Sequence, residues 1–532
     1  MGAGSFIAAG LLFLKYLLGD QLMIGKLKIR EPFNPAIILI LLVIGWLIVN
    51  RDRVGGLNPH GLAGIFLLIT FLTMLHYDRP PLAVTSDGVG YFSYLHSLVI
   101  DRDLDFANEY RELDAYRFGV HAYADESRRI PKTTPIGMIP NLFSIGPSLL
   151  WYPFYALTDF FYRPHHPDRT GYEIIYIQVL RFSMLLYGFL GLFLLYRSLA
   201  TLFTPAAALL SVTILIFHSP IYFYLKNQPF HSHIYSFFCL ALFGYFFTKY
   251  RNRQNGFYWA VFGLLLGLAA LMRWQNAACL LVPLFYAWSS LIWDRQNREA
   301  SLKKILFNSL AMGLTFAVTI SPQLLAFKIL YGRYLVIPQG SDFVTFIPRW
   351  FWQVLFSPFH GLFYWHPVLL LALAGFVLGL KKRVAADQKL FFHSQTVGFG
   401  LFAYINSSIS QFHGGGSFGG RRFIDSFVFL AYPLANSVER ILDKKGWRFL
   451  FAVILNVFFL LNIFMDRAFY DVLIPHEQPV HFPKFIGAAF ASLKSMVDHQ
   501  FKYILFLLVF LIFTNLFFIL FTRPQNSTPK SL

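Results

Sequence analysis

The chain has 532 residues, 56% hydrophobic and 19% aromatic, with 14% charged and a mean hydropathy of +0.53. That composition excludes a soluble globular domain, and apolar runs that lack alternation exclude a transmembrane β-barrel, leaving an all-α polytopic membrane protein. The formal net charge of +18 sits in short Lys/Arg clusters between apolar runs, which marks membrane orientation and gives no reason to expect a nucleic-acid partner.

In chain order, apolar runs at 5–24, 34–50 and 61–76 come first, with the basic "KLKIRE" (26–31) between the first two. Residues 77–173 then form a long hydrophilic stretch, with ten acidic and seven basic residues between Asp78 and Lys132. Its last part, "NLFSIGPSLLWYPFYALTDFF" (141–161), is apolar but broken by Gly146-Pro147 and Pro153, and reads as an interfacial or partly re-entrant helix. Spanning helices follow at 174–196, 203–219, 232–249, 257–272, 275–292, 305–330, 361–380, 390–411, 423–438, 448–466 and 501–521. The expected total is about 13–14 spans.

The basic clusters Lys249/Arg251/Arg253, Arg295/Arg298/Lys303/Lys304, Lys381/Lys382/Arg383 and Arg440/Lys444/Lys445/Arg448 are each two spans apart, as is the tail after Arg523. All then lie on the cytoplasmic side. Alternation puts 77–173, 218–231, 273–275, 331–360, 412–422 and 467–500 outside, with "KLKIRE" facing outward against the rule. The unusual polar residues collect in these outer segments. No P-loop, no G-x-G-x-x-G after a strand, no cleavable signal sequence and no H-E-x-x-H is read in the sequence, so the chemistry is expected on the outer face and without a nucleotide. Cys239 and Cys279 lie in apolar runs and read as packing residues.

Asp87-Gly-Val-Gly-Tyr91, just after an early span and before an amphipathic helix, resembles the first outer loop of the membrane-embedded GT-C glycosyltransferases. Within them it is most similar to bacterial relatives of the protein mannosyltransferases (family 39) and lipid A aminoarabinose transferases. "PKTTPIGMIPNLFSIGPSLLWYPFY" (131–155) resembles their Lys-x-x-Pro segment leading into an interfacial helix, and "GLLLGLAALMRWQNAACLLVPL" (263–284) their paired short helices with an Arg at the bend. The resemblance covers roughly 61–330. It departs at Gly88, where a second acid is common, and at Asn227-Gln228-Pro229, where many relatives carry an acid before Pro. It implies a GT-C-type bundle with a long first extracytoplasmic loop carrying interfacial helices. The expected organisation is N-terminal extra membrane segments over 1–60, a GT-C-like module over 61–330 including the loop 77–173, and a C-terminal transmembrane region over 331–532 with outer loops 331–360, 412–422 and 467–500.

The resemblance also implies an inverting transferase that moves one sugar from a polyprenyl-phosphate donor to an acceptor hydroxyl. Such a reaction needs one carboxylate base and several cations for the departing phosphate, with no acid to protonate it. Asp87 is the expected base, although an Asp-Gly turn or helix cap is the ordinary use of such a residue. Gly88 and Gly90 are expected to let backbone approach substrate. Tyr91, Tyr94, Leu95, Leu98 and Val99 form a helical stripe expected to lie on the membrane or on neighbouring helices, and Tyr91 could also reach the sugar or Asp87. "DRDLDFANEY" (101–110) reads as solvated turn and loop, with cation binding by Asp101, Asp103 and Asp105 a minor reading.

Lys132 and Arg129 are expected on the donor phosphate, Lys132 above all. Arg273, at an outer bend, is a helix-end snorkel or a phosphate ligand. His231 and His233 could replace the missing acid, with a structural role for at least one of them. In "QFHGGGSFGGRRFID" (411–425), Arg421 or Arg422 is expected to bind phosphate or pair with a carboxylate such as Asp425. Trp365 and His366 suit a sugar face but more commonly mark an aromatic belt. No metal site and no cofactor are expected. The partners expected are a polyprenyl-phosphate sugar, a glycan, lipid or protein acceptor, and membrane lipids, at a bacterial inner membrane with the site facing the periplasm. The rivals are an O-antigen ligase or polymerase-like enzyme with a lipid-diphosphate donor, and a lipid or sugar transporter.

Overall fold

The computed structural model describes residues 23–24, 27–28, 35–49, 58–77, 84–113, 124–125, 130–131, 133–253, 255–293, 298–381, 386–499 and 501–521. Among these, two short antiparallel ladders are the only paired strands, and α-helices form the rest of the framework. The early helices are α1 (Pro35–Val49), α2 (Pro59–Tyr77), α3 (Asp87–His96), α4 (Ala107–Glu112) and α5 (Gly146–Tyr162). A long α6 (Ile174–Leu199) follows, then α7 (Pro205–Phe217), α8 (Ile221–Asn227), α9 (Ser232–Tyr250) and α10 (Gly256–Met272). After a 3-10 turn at Trp274–Leu280 come α11 (Leu281–Trp293) and α12 (Arg298–Tyr331), and α13 (Phe351–Phe356) and α14 (Leu362–Trp365) are short. The C-terminal helices are α15 (Leu370–Lys381), α16 (Ala386–Ser407), α17 (Phe427–Leu442), α18 (Lys445–Tyr470), α19 (Phe482–His499) and α20 (Phe501–Phe521).

The protein is an all-α polytopic membrane protein. Of the described helices, Ile174–Leu199, Ser301–Tyr331 and Lys445–Tyr470 are each long and apolar enough to cross a bilayer alone, and two bent pairs raise that to five. One pair is α7 with α8, bent by 58° at His218–Pro220; the expected span over 203–219 corresponds to α7 and ends at this break, and α8 lies in the expected outer segment 218–231. The other joins α19 to α20 at 110°, so the expected outer loop 467–500 carries a helix of its own. Pro220 and Pro367 sit at breaks, each at the start of the following turn where no amide donor is needed, whereas Pro153, Pro322 and Pro433 lie inside α5, α12 and α17, so the break expected at Pro153 does not occur.

α6 packs on α9, α9 on α10, α10 on α12, and α17 on α15 and α7. The α10–α12 seam is close because Gly263 and Gly267, one turn apart, face Met312 and Thr319; a Cβ on Gly267 would lie 2.6 Å from that of Thr319. Thr315 seals the seam by donating to the Ala260 carbonyl at 2.8 Å. α5 shows the two faces expected of an interfacial helix: Trp151, Tyr155 and Asp159 are buried, while Leu157, Phe160 and Phe161 are exposed. The Arg251–Asp387 pair of one basic cluster, and the Thr204–Glu439 contact next to Arg440 of another, lie at the end of α9 and α7 remote from Asp87.

Of the two places expected for the α3 stripe, the membrane or neighbouring helices, the structure shows the second. Every residue from Gly88 to His96 is buried, so Tyr91, Tyr94 and Leu95 are core rather than membrane-lying. The reason is the segment 133–145 with the first turn of α5, which wrap α3: Asn141 donates to the Gly90 carbonyl at 2.8 Å and Ser148 to that of Tyr91 at 2.6 Å. "DRDLDFANEY" likewise is not all solvated loop, since α4 forms within it and buries Glu109 and Tyr110. Trp365 and His366 are buried among aromatic rings rather than offered to a sugar. Cys239 and Cys279 are free and buried, as packing residues should be.

Candidate active site

Asp87 is the first residue of α3, one position after Ser86, whose φ of 54° turns the chain sharply into the helix. A carboxylate there is favoured by the helix N-terminus. Gly88 and Gly90 serve packing rather than substrate approach: a Cβ on Gly88 would lie 2.6 Å from that of Phe230, and one on Gly90 would run into Phe143 and Asn141. The Asp87 side chain keeps 28% exposure and pairs with Arg421 at 3.4 Å. Burial pushes its carboxyl up, but Arg421, Arg422 and Arg273 outweigh that and hold it below the ordinary value of 3.8.

Arg273 ends α10 in extended backbone at the bend to the 3-10 turn. Asn276 pins that bend by donating to Ser236 at 2.6 Å and to the Ala269 carbonyl at 2.8 Å. One guanidinium nitrogen of Arg273 reaches Asp425 at 2.8 Å and His233 Nδ1 at 2.9 Å, and the other donates to Gln275 at 3.2 Å. Gln275 donates in turn to Asp425 at 3.0 Å. Arg273 is thus neither snorkelling nor free, and His233, as acceptor, orients it. Asp425 is not the partner of Arg421 or Arg422: those two leave the 3-10 turn Arg421–Phe423 toward Asp87 and the Gln411 carbonyl, whereas Asp425 faces the α10 bend.

His231 behaves differently from its neighbour. It is 4% exposed, and neither ring nitrogen has a hydrogen-bond partner among the described residues. Burial drives it down to about 4, so it is neutral at physiological pH beside Asp87. Tyr224, not singled out in the sequence, stands between His231 and Arg421 and accepts from the Phe418 amide at 3.3 Å. Tyr91 donates to Ser232 at 2.8 Å, bracing α3 against α9 next to Asp87. The glycine-rich segment carries positive φ at Gly414, Gly415 and Gly419, which brings the two arginines back over the site. Arg129 and Lys132 lie outside the described residues.

The structure therefore collects Asp87, Tyr91, His231, His233, Arg273, Arg421 and Arg422 at one end of the bundle, with Gln275, Tyr224 and Asp425 between them. Among the described residues, three guanidinium groups face two carboxylates, Asp87 and Asp425, so one positive charge is left over in a half-buried place. Burial and the neighbouring Arg421 and Arg273 press Arg422 downward, which makes it the cation with most to gain from an added anion. Asp103 and Asp105 accept from backbone amides two residues on, which accounts for them without a cation.

Residues 176–352 match the family described as dolichyl-phosphate-mannose-protein mannosyltransferase, which bears out the GT-C resemblance. No curated protein matches the chain. Among solved structures, the chain is similar to the oligosaccharyltransferase AglB of Archaeoglobus fulgidus in complex with an inhibitory peptide and a dolichol-phosphate, at 13% identity and a TM-score of 0.44. It is also similar to the Archaeoglobus fulgidus oligosaccharyltransferase tethered to an acceptor peptide, at 12% identity and 0.41. The alignments cover 87% and 86% of this chain, which spans 56% and 55% of the length of those two.

Proposed function

We propose that this chain is an inverting glycosyltransferase that takes a sugar from a polyprenyl-phosphate donor and passes it to an acceptor hydroxyl, at the end of the bundle carrying Asp87. The observation that carries this reading is a single accessible carboxylate beside an excess of half-buried guanidinium groups. The acceptor oxygen bonds to the anomeric carbon as the bond from that carbon to the phosphate oxygen breaks. The acceptor proton passes to Asp87, and polyprenyl phosphate leaves with the bonding electrons and both negative charges. A carboxyl held below its ordinary range stays ionised, steadies the cationic sugar in the transition state, and accepts the proton late. Arg421 and Arg422, with Arg273 behind them, receive the phosphate, and forked donors suit its oxygens. Lys132 and Arg129 remain proposed contacts to the same phosphate.

The positive-inside pattern supports a multi-pass protein of a bacterial inner membrane with this site facing the periplasm. A lipid-diphosphate donor is the second reading, since three arginines would also suit two phosphates. The deciding experiment incubates purified protein with polyprenyl-phosphate sugars and, separately, with lipid-diphosphate sugars, and follows release of the lipid phosphate. Asp87→Asn should lower turnover of the monophosphate donor by about 10²- to 10⁴-fold while leaving expression intact. Unchanged turnover in that variant, or turnover of the diphosphate alone, overturns the reading.

The pH profile follows from the same carboxyl. Asp87 is the active form when ionised, its folded value lies below 3.8, and so activity is retained above that value and lost only as the pH falls through it. An acid limb near pH 6 in a plot of kcat/KM would contradict its assignment as base.

A further inference from the structure

A second cluster lies at the other end of α3, about 13 Å along the helix from Asp87. Immediately after His96 the chain makes a π turn over Ser97–Asp101, ending at Arg102 with φ 62°. In a regular α-helix a residue five positions on points about 140° away. The wider turn instead returns Asp101 to His96, and such turns are frequent at functional sites. His96 Nδ1 lies 3.0 Å from Asp101 Oδ2 and 3.1 Å from Glu109 Oε1, while its Nε2 is held by the Thr170 carbonyl at 2.7 Å. The carbonyl fixes the proton on Nε2 and aims Nδ1 at the two carboxylates, the arrangement that orients a metal-bound imidazole.

Glu109 is 0% exposed and its Oε2 is buried without a hydrogen-bond partner among the described residues, which leaves the carboxylate coordinating capacity. Ser97 donates to Oε1 at 2.6 Å and Asn108 to Asp101 Oδ2 at 2.9 Å, which sets both acids in place. Ligand atoms about 2.1 Å from one ion stand about 3.0 Å apart at right angles and about 3.4 Å apart at tetrahedral angles; His96 Nδ1 lies 3.0 and 3.1 Å from the two acid oxygens, and the three side chains can offer ligand atoms all within 4.8 Å of one another. A protonated His96 would leave the three side chains at one net negative charge around a buried Glu109, whereas a divalent ion with neutral His96 brings the sum to zero.

We propose that His96, Asp101 and Glu109 bind one divalent transition-metal ion of the zinc or manganese class, which clamps the end of α3 to α4. One imidazole with two carboxylates fits that class, and the partly exposed Asp101 gives the ion its entry. The site is separate from the carboxylate of the candidate active site and does not depend on its chemistry.

The test uses the full chain, purified in detergent, stripped with a chelator and reloaded with zinc chloride or manganese chloride. Metal content is read by elemental mass spectrometry and stability by the thermal midpoint. Wild type should retain about one equivalent and gain in midpoint on loading, with affinity reduced at least tenfold in Glu109→Gln. His96→Arg is the second variant: a guanidinium can bridge both acids but cannot ligate, so it should fold and hold no ion. Wild type that retains neither metal, or His96→Arg that binds as wild type does, overturns the proposal. In the first case, with His96→Arg as stable as wild type, the triad is an ion-paired lock.

Discussion

Arg273 shows how one side chain sets the geometry of a charged site, because its guanidinium is shared among Asp425, His233 and Gln275. Asp425 is fully buried, whereas Arg273 is 15% exposed. Removing the arginine therefore strands a buried carboxylate, and Arg273→Ala should cost about 3–5 kcal/mol. Asp425→Asn keeps the shape and a hydrogen-bonding group and should cost less. Denaturant midpoints of the two variants check the asymmetry, and equal losses would show that the pair is not organised around the acid. Gly88 makes a related point by contact alone: Gly88→Ala sets a methyl against Phe230 and should cost about 1–3 kcal/mol through overpacking, with Phe230→Ala restoring part of the loss.

At the scale of elements, α5 decides how the site is walled. Its apolar residues divide between Trp151, 0% exposed against Phe230 and Tyr235, and Phe161, 66% exposed. Trp151→Ala should lower stability by about 3–5 kcal/mol and disturb the turn bearing His231. Phe161→Ser should leave the thermal midpoint in detergent nearly unchanged, since that side chain stands on the exposed face of α5 beside Phe160. Comparable losses in both would mean that α5 is buried on all sides. The breaks at Pro220 and Pro367 were not read from the sequence, where a span was expected to run across Pro367 over 361–380, and neither was their consequence. A 58° bend between α7 and α8 is what turns Tyr224 toward Arg421.

The molecule as a whole is polar in the sense that its two ends carry different chemistry. Asp87, Arg273 and Arg421 converge at one, and the clusters around Arg251 and Glu439 at the other. With Cys239 and Cys279 buried, single exposed cysteines report sidedness cleanly. Asp168→Cys and Ser410→Cys should react with a membrane-impermeant maleimide on intact cells, while Arg253→Cys and Asp443→Cys should react only after lysis. Labelling of all four from the outside would sink the proposed orientation.

The amino-acid order alone determined the helical membrane architecture and the suspicion attached to Asp87, Arg273, Arg421 and Arg422, and it pointed to the apolar helix whose two faces differ at Gly146–Tyr162. Apolar periodicity and the cost of an ion near lipid are local properties, legible residue by residue. Only the tertiary structure decided the partnerships: Asp87 with Arg421, Asp425 with Arg273, His233 as orienting acceptor, and His231 with no hydrogen-bond partner among the described residues. It also showed that α3 is enclosed and that Gly88 makes room for Phe230. Those facts join segments far apart in the chain, and a charge announces that it needs a partner without saying which of several distant ones the packing will bring within reach.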